Sequence, residues 1–208
     1  MGHPAGSRYA LSMRAAGVET AGEGVPVARP AVAPATPCRV VGFDPGLDVT
    51  GYGVVECGRD GVRLVEAGTV RSRGTSIEDR LVTIHSGVRE VIDELRPHAM
   101  AVEQLFVHSR YPRTAILMGH ARGVICLAAA QASLVVTHYP PARVKRLLTG
   151  SGRADKGQMQ RAVQRELGLP ALPEPADAAD ALAVAITDWH LRLRLSPAAA
   201  ALGGTRRR

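Results

Sequence analysis

The chain has 208 residues, 46% of them hydrophobic, which suits one ordinary domain with a buried core and excludes wholesale disorder. Twenty-six Lys and Arg against nineteen Asp and Glu leave a net charge of +7, a balance that favours a partner with a negative surface. No run of 18 or more apolar residues occurs, so neither a transmembrane span nor a membrane partner is expected.

Residues 1–37 are rich in Ala, Pro and Gly without a sustained period, and read as a disordered extension. Cys38–Phe43 is a short apolar run closed by Asp44-Pro45-Gly46, a buried strand followed by a turn. Thr50–Cys57 and Arg63–Arg71 alternate around a Gly-Arg-Asp-Gly break and read as a hairpin. Ser76–Leu95 is the clearest helix. It has one apolar stripe, a Ser76/Asp79 pattern like a capping box, and Pro97 beyond its end. Ala99–Val102 is a second buried strand with Glu103 at its end. Thr114–Ala130 is a helix of small residues, Leu134–Tyr139 a strand, Arg143–Leu148 a short helix, and Asp155–Leu167 a longer one stopped by Gly168. Asp177–Leu195 is a final alanine-rich helix, and residues 196–208 form a low-complexity basic tail. A three-strand meander followed by helix, strand, helix, strand and helices predicts an α/β fold, a mixed sheet with helices on both faces, over residues 38–195.

Cys38, Cys57 and Cys126 are odd in number and far apart. Such usage excludes a zinc ribbon, argues against a disulfide framework, and points to a reducing, cytoplasmic compartment. Aromatic residues at 3% disfavour a binder made of many stacking platforms.

The charge separates within the chain. From Gln104 to Ala154 there is no carboxylate, while Arg110, Arg113, Arg122, Arg143, Lys145, Arg146 and Arg153 all fall there, as expected of a surface for phosphates. Lys145 and Lys156 are the only lysines beside 24 arginines, which suggests that a compact ammonium is needed at those two places.

Two predicted strands end in acids, Asp44 and Glu103, and strand ends of an α/β sheet point at its ligand crevice. Asp177 and Asp180 are spaced i, i+3 on the last helix and share one face. Taken singly, Asp177 reads equally as a helix N-cap, Asp44 as turn chemistry and Glu103 as a surface strand end. Taken together, four acids at the ends of converging elements call for a positive partner, and a hard divalent cation suits carboxylate oxygens.

The run Gly42-Phe43-Asp44-Pro45-Gly46-Leu47-Asp48-Val49-Thr50-Gly51-Tyr52-Gly53 resembles the opening motif of the RuvC Holliday-junction resolvases. Val102-Glu103-Gln104-Leu105-Phe106, Gly119-His120-Ala121-Arg122-Gly123 and Ala176-Asp177-Ala178-Ala179-Asp180-Ala181-Leu182-Ala183 resemble that family's later motifs, in its order, over about residues 39–190. The resemblance implies an RNase H-like nuclease domain with a five-stranded mixed sheet, acting as a homodimer. It implies a structure-selective endonuclease that resolves four-way DNA junctions by paired symmetric nicks in recombination and repair. It further implies a four-carboxylate site of Asp44, Glu103, Asp177 and Asp180 that holds two Mg²⁺, with Mn²⁺ as a substitute, and leaves 5′-phosphate and 3′-hydroxyl ends. The family lysines fall on Lys145 and Lys156. Phe106 falls where the family places an aromatic that contacts junction bases, and Arg110 and Arg113 follow as further DNA contacts. RuvA and RuvB, the branch-migration proteins, are the implied protein partners. Phe43 replaces a usual aliphatic residue, and the loop Val107–Pro112 lacks a customary Asn. An actin-like ATPase would share the Asp-x-Gly opening, but the chain is too short for two duplicated domains. A nuclease for other branched DNA or RNA, and a non-cleaving junction binder, are the other readings.

Overall fold

The computed structural model describes residues 38–58, 61–105 and 112–195. The expected N-terminal extension, the basic tail and the segment that holds Phe106 and Arg110 lie outside the described residues. In chain order the elements are β1 (Cys38–Asp44), β2 (Val49–Gly58), β3 (Gly61–Arg71), α1 (Ile77–Leu95), β4 (Ala99–Glu103), α2 (Pro112–Gln131), β5 (Val135–Tyr139), α3 (Pro141–Thr149), α4 (Lys156–Leu167) and α5 (Ala176–Leu195).

The expected elements are all present, with shifted ends. Helices α2 and α3 start at Pro112 and Pro141, two residues before the expected starts. Proline lacks only an N–H that the first helical turn leaves unbonded anyway, so it opens these helices rather than preceding them. Ser76 caps α1 by accepting from the Asp79 N–H at 3.1 Å. A reciprocal capping box stands instead at α4. There Asp155 Oδ1 accepts from the Gln158 N–H at 2.8 Å, and Gln158 Oε1 accepts from the Asp155 N–H at 2.9 Å.

The five strands form one mixed sheet in the order β3-β2-β1-β4-β5. β1 pairs antiparallel with β2 and parallel with β4, and β4 pairs parallel with β5. β1 therefore sits at the centre, and a helix-bearing crossover leads to each parallel neighbour.

Alternation along the strands sends successive side chains to opposite faces. One face carries Val41, Phe43, Tyr52, Val54, Met100 and Val102, packed with Ile84, Val88 and Val91 of α1 and Ala121 and Ile125 of α2. The other carries Val40, Val55, Cys57 and Ala101, packed with α5 and with Val144 of α3 and Met159 and Val163 of α4. Two buried acids each accept a tyrosine hydroxyl: Glu66 from Tyr52 at 2.8 Å and Asp188 of α5 from Tyr139 of β5 at 2.9 Å. Among the described residues, no helix is long and apolar enough to cross a membrane.

Candidate active site

Asp44 shares the parity of Val40, and Glu103 that of Ala101, so both carboxylates leave the sheet on the α5 face. They are also neighbours across the sheet, because Phe43 pairs with Val102 in the parallel β1–β4 register. Two acids distant in sequence thus meet through strand pairing alone.

Helix α5 brings the other two. It can lie unusually low because the strands beneath it carry glycine. A Cβ on Gly42 would come 2.1 Å from the Ala181 carbonyl oxygen, and one on Gly51 would come 2.0 Å from that of Asp177. Gly51 is the register partner of Asp44. The main chain of Asp177 therefore rests over the residue beside Asp44. The helix contributes its own small residues to this contact: Ala178, Ala179, Ala181, Ala183 and Ala185 are all buried. Glycine inside a strand marks a close backbone approach. The sequence carries that signal at Gly42, Gly51 and Gly53, within the opening motif.

Asp177 is the second residue of α5, inside the first turn, so it is not the helix N-cap. Asp180 follows three residues later on the same face.

The acids act on one another. Burial, then the charges of Glu103, Asp180 and Asp177, push the Asp44 carboxyl up to about 8, against an opposing effect of Lys156. Burial and Asp180 push Glu103 up to about 7, with Lys145 opposing. Asp180 is raised by burial first and by Asp177, with Lys156 and Lys145 opposing. The structure brings Asp44, Glu103, Asp177 and Asp180 into one field, and it sets both lysines against that field. Lys156 occupies the first turn of α4 beside the capping Asp155, and Lys145 lies mid-way along α3.

A carboxylate held near neutral pH by burial and like charges is short of positive charge, and that deficit is the chemistry a divalent cation fits. The donors are all hard oxygens, as Mg²⁺ prefers. Among the described residues, no group of three or more His, Cys, Asp or Glu stands so as to hold a metal ion. The fit therefore rests on donor chemistry and charge.

Arg113 is exposed in the first turn of α2, on the described side of the segment that carries Phe106 and Arg110. The turn after Asp44 is braced twice. Thr50 Oγ1 donates to the Gly46 carbonyl at 2.8 Å, and Arg80 of α1 pairs with Asp48. This turn and the start of α2, at Thr114, Leu117 and Met118, line one open pocket.

The family described as Crossover junction endodeoxyribonuclease RuvC matches residues 40–188. Curated relatives of that name include one from Rhodopirellula baltica, 51% identical over 161 residues, which span 76% of this chain and 89% of the relative. Another, from Halorhodospira halophila, is 48% identical over 170 residues, spanning 81% and 99%. Among solved structures, T. thermophilus RuvC in complex with a Holliday junction substrate aligns with a TM-score of 0.69 and 36% identity, covering 75% of this chain and 96% of that one.

Proposed function

Since the chain belongs to the RuvC family of crossover junction endodeoxyribonucleases, we propose that it cuts four-way DNA junctions by metal-dependent hydrolysis, with paired nicks in opposed strands. The observation that carries this reading is the convergence of Asp44, Glu103, Asp177 and Asp180 under the eye of Lys145 and Lys156.

In this reading Asp44, Glu103, Asp177 and Asp180 would hold two Mg²⁺ ions, with Mn²⁺ as a substitute. When bound, such a metal pair activates water, neutralises the phosphate and stabilises the leaving oxygen. The residues of the chain do the rest. The four carboxylates nearly balance two divalent charges. Lys145 and Lys156 add positive charge beside the scissile phosphate, where it strengthens as the phosphate gains charge. The products are a 5′-phosphate and a 3′-hydroxyl. Phe106 stacks on an unpaired base near the crossover, and Arg110 and Arg113 contact the backbone.

A two-fold dimer places one site on each of two opposed strands. An apolar stripe on α2 supports this assembly: Ile116 is 62% exposed and Leu127 52%. Ile116 and Leu127, eleven residues apart, lie on one side of the helix. Large apolar side chains exposed along one side of a helix suit an interaction surface. RuvA and RuvB are the proposed partners for delivering the junction.

The test is a synthetic four-way junction, labelled in turn on each strand and incubated with the chain and Mg²⁺. Nicks at symmetric positions on two strands of like polarity are expected, and chelation with EDTA abolishes them. Equal cutting of linear duplex or RNA, or retention of the junction without cleavage, overturns the reading.

A further inference from the structure

Cys38 and Cys57 stand opposite each other in the antiparallel β1–β2 register. Directly opposed residues of such a ladder project from the same face, with Cα atoms about 4.5 Å or about 5.5 Å apart according to pair type. A disulfide spans Cα separations of roughly 4.4–6.8 Å. Both pair types fall inside that window. Cys57 is fully buried under α5, and the partly buried Cys38 packs against the same cluster. The two thiols are in contact as well as in register: a hydrogen bond with Cys38, then burial, raises the Cys57 thiol.

We propose that Cys38 and Cys57 form a peroxide-reactive dithiol that closes into a cross-strand disulfide within one chain. Cys38 reacts first because it is the more exposed. Its thiolate sulfur attacks one oxygen of hydrogen peroxide, the O–O bond breaks, and the other oxygen leaves as hydroxide and is protonated to water. Cys38 is then a sulfenic acid. The Cys57 sulfur attacks the Cys38 sulfur, the S–S bond forms and the S–O bond breaks. The departing hydroxide takes the Cys57 proton as a second water. Two thiols have lost two electrons and two protons, and one peroxide has become two waters. Burial, Asp188 and Glu56 still raise the Cys57 thiol at that stage, so its proton passes to the departing hydroxide as the S–S bond forms.

The bond closes the segment that carries Asp44 and Gly51, but at the end of β1 opposite Asp44, about 20 Å away along the strand. Cys126 lies on α2, across the sheet, and serves as an internal control. The inference does not depend on the nuclease reading.

The experiment uses the full chain, reduced, desalted and exposed to stoichiometric hydrogen peroxide, then alkylated with N-ethylmaleimide and mapped by mass spectrometry without reductant. The expected product joins the Cys38 and Cys57 peptides, two hydrogens lighter than their sum, with Cys126 alkylated. Its thermal midpoint rises and returns on reduction. Recovery of Cys57 alkylated beside Cys38 as thiol, sulfinic or sulfonic acid overturns the proposal, as does a bond to Cys126. In Cys57→Ser, checked for native circular dichroism, Cys38 loses its resolving partner and accumulates higher oxides. Equal oxidation of Cys38 in that variant and in the wild type also overturns it.

Discussion

The two faces of the central sheet are built from the same strands and filled by different rules. Toward α1 and α2 the strands present large side chains, Phe43, Tyr52 and Met100, all fully buried. Toward α5 they present Gly42, Gly51 and Gly53, and the helix sets Ala181 and Ala185 over Gly42, its own backbone over Gly51 and Leu182 over Gly53. The first face is filled by volume, which stabilises the fold. The second is emptied of volume, so that a helix backbone can reach a strand backbone and carry two acids down to two others. Stability and chemistry thus occupy opposite sides of one sheet, and substitutions separate them.

The largest effect is expected from Asp44→Asn. It removes the central carboxylate of the proposed site and lowers junction cleavage by roughly 10³-fold or more. Binding of the junction, measured by gel shift, is retained. Cleavage at the wild-type rate would remove Asp44 from the mechanism.

Met100→Ala acts on the other face. A cavity at a fully buried methionine costs about 2–5 kcal/mol in urea unfolding. Cleavage by the folded fraction stays within a few-fold of wild type at low temperature. A proportionate loss of cleavage would erase the distinction between the faces.

Gly51→Ala tests the close approach directly. The added carbon would meet the Asp177 carbonyl at 2.0 Å, so helix or strand must move. The expected cost is about 1–3 kcal/mol, with a loss of cleavage larger than this modest destabilisation explains. An unchanged rate would mean that the position of Asp177 does not matter.

The last effect is a slope. Asp44 rises from 3.8 to about 8 and Glu103 from 4.5 to about 7 on folding, chiefly through burial. The folded chain therefore binds protons that the unfolded chain has released, and stability falls as pH rises from about 4 to about 8. Thermal melts in EDTA across that range measure the fall. Asp44→Asn flattens it, whereas Met100→Ala lowers every point and leaves the slope intact.

Much of this division could be read from the residues in order. The apolar stripe of α1, the strand before Asp44 and the i, i+3 spacing of Asp177 and Asp180 are local patterns, and local patterns survive in a linear sequence. The order of the strands does not. That β1 lies between β2 and β4, and so sets Asp44 beside Glu103, depends on pairing across more than fifty residues. The height of α5 above the sheet was equally hidden, because glycine at Gly42 or Gly51 gives no hint of which helix will arrive. The burial of the acids Glu66 and Asp188 is hidden for the same reason. Each is satisfied by a tyrosine that only the tertiary fold supplies.

The Tyr139–Asp188 hydrogen bond has a consequence for the far end of α5. Eight residues separate Asp188 from Asp180, a lever of about 12 Å along the helix axis. A tilt of about 5° about that anchor would swing Asp180 sideways by about 1 Å, and Asp177 by more. A phenol on the edge strand thereby helps to hold the aim of acids at the other end of the helix.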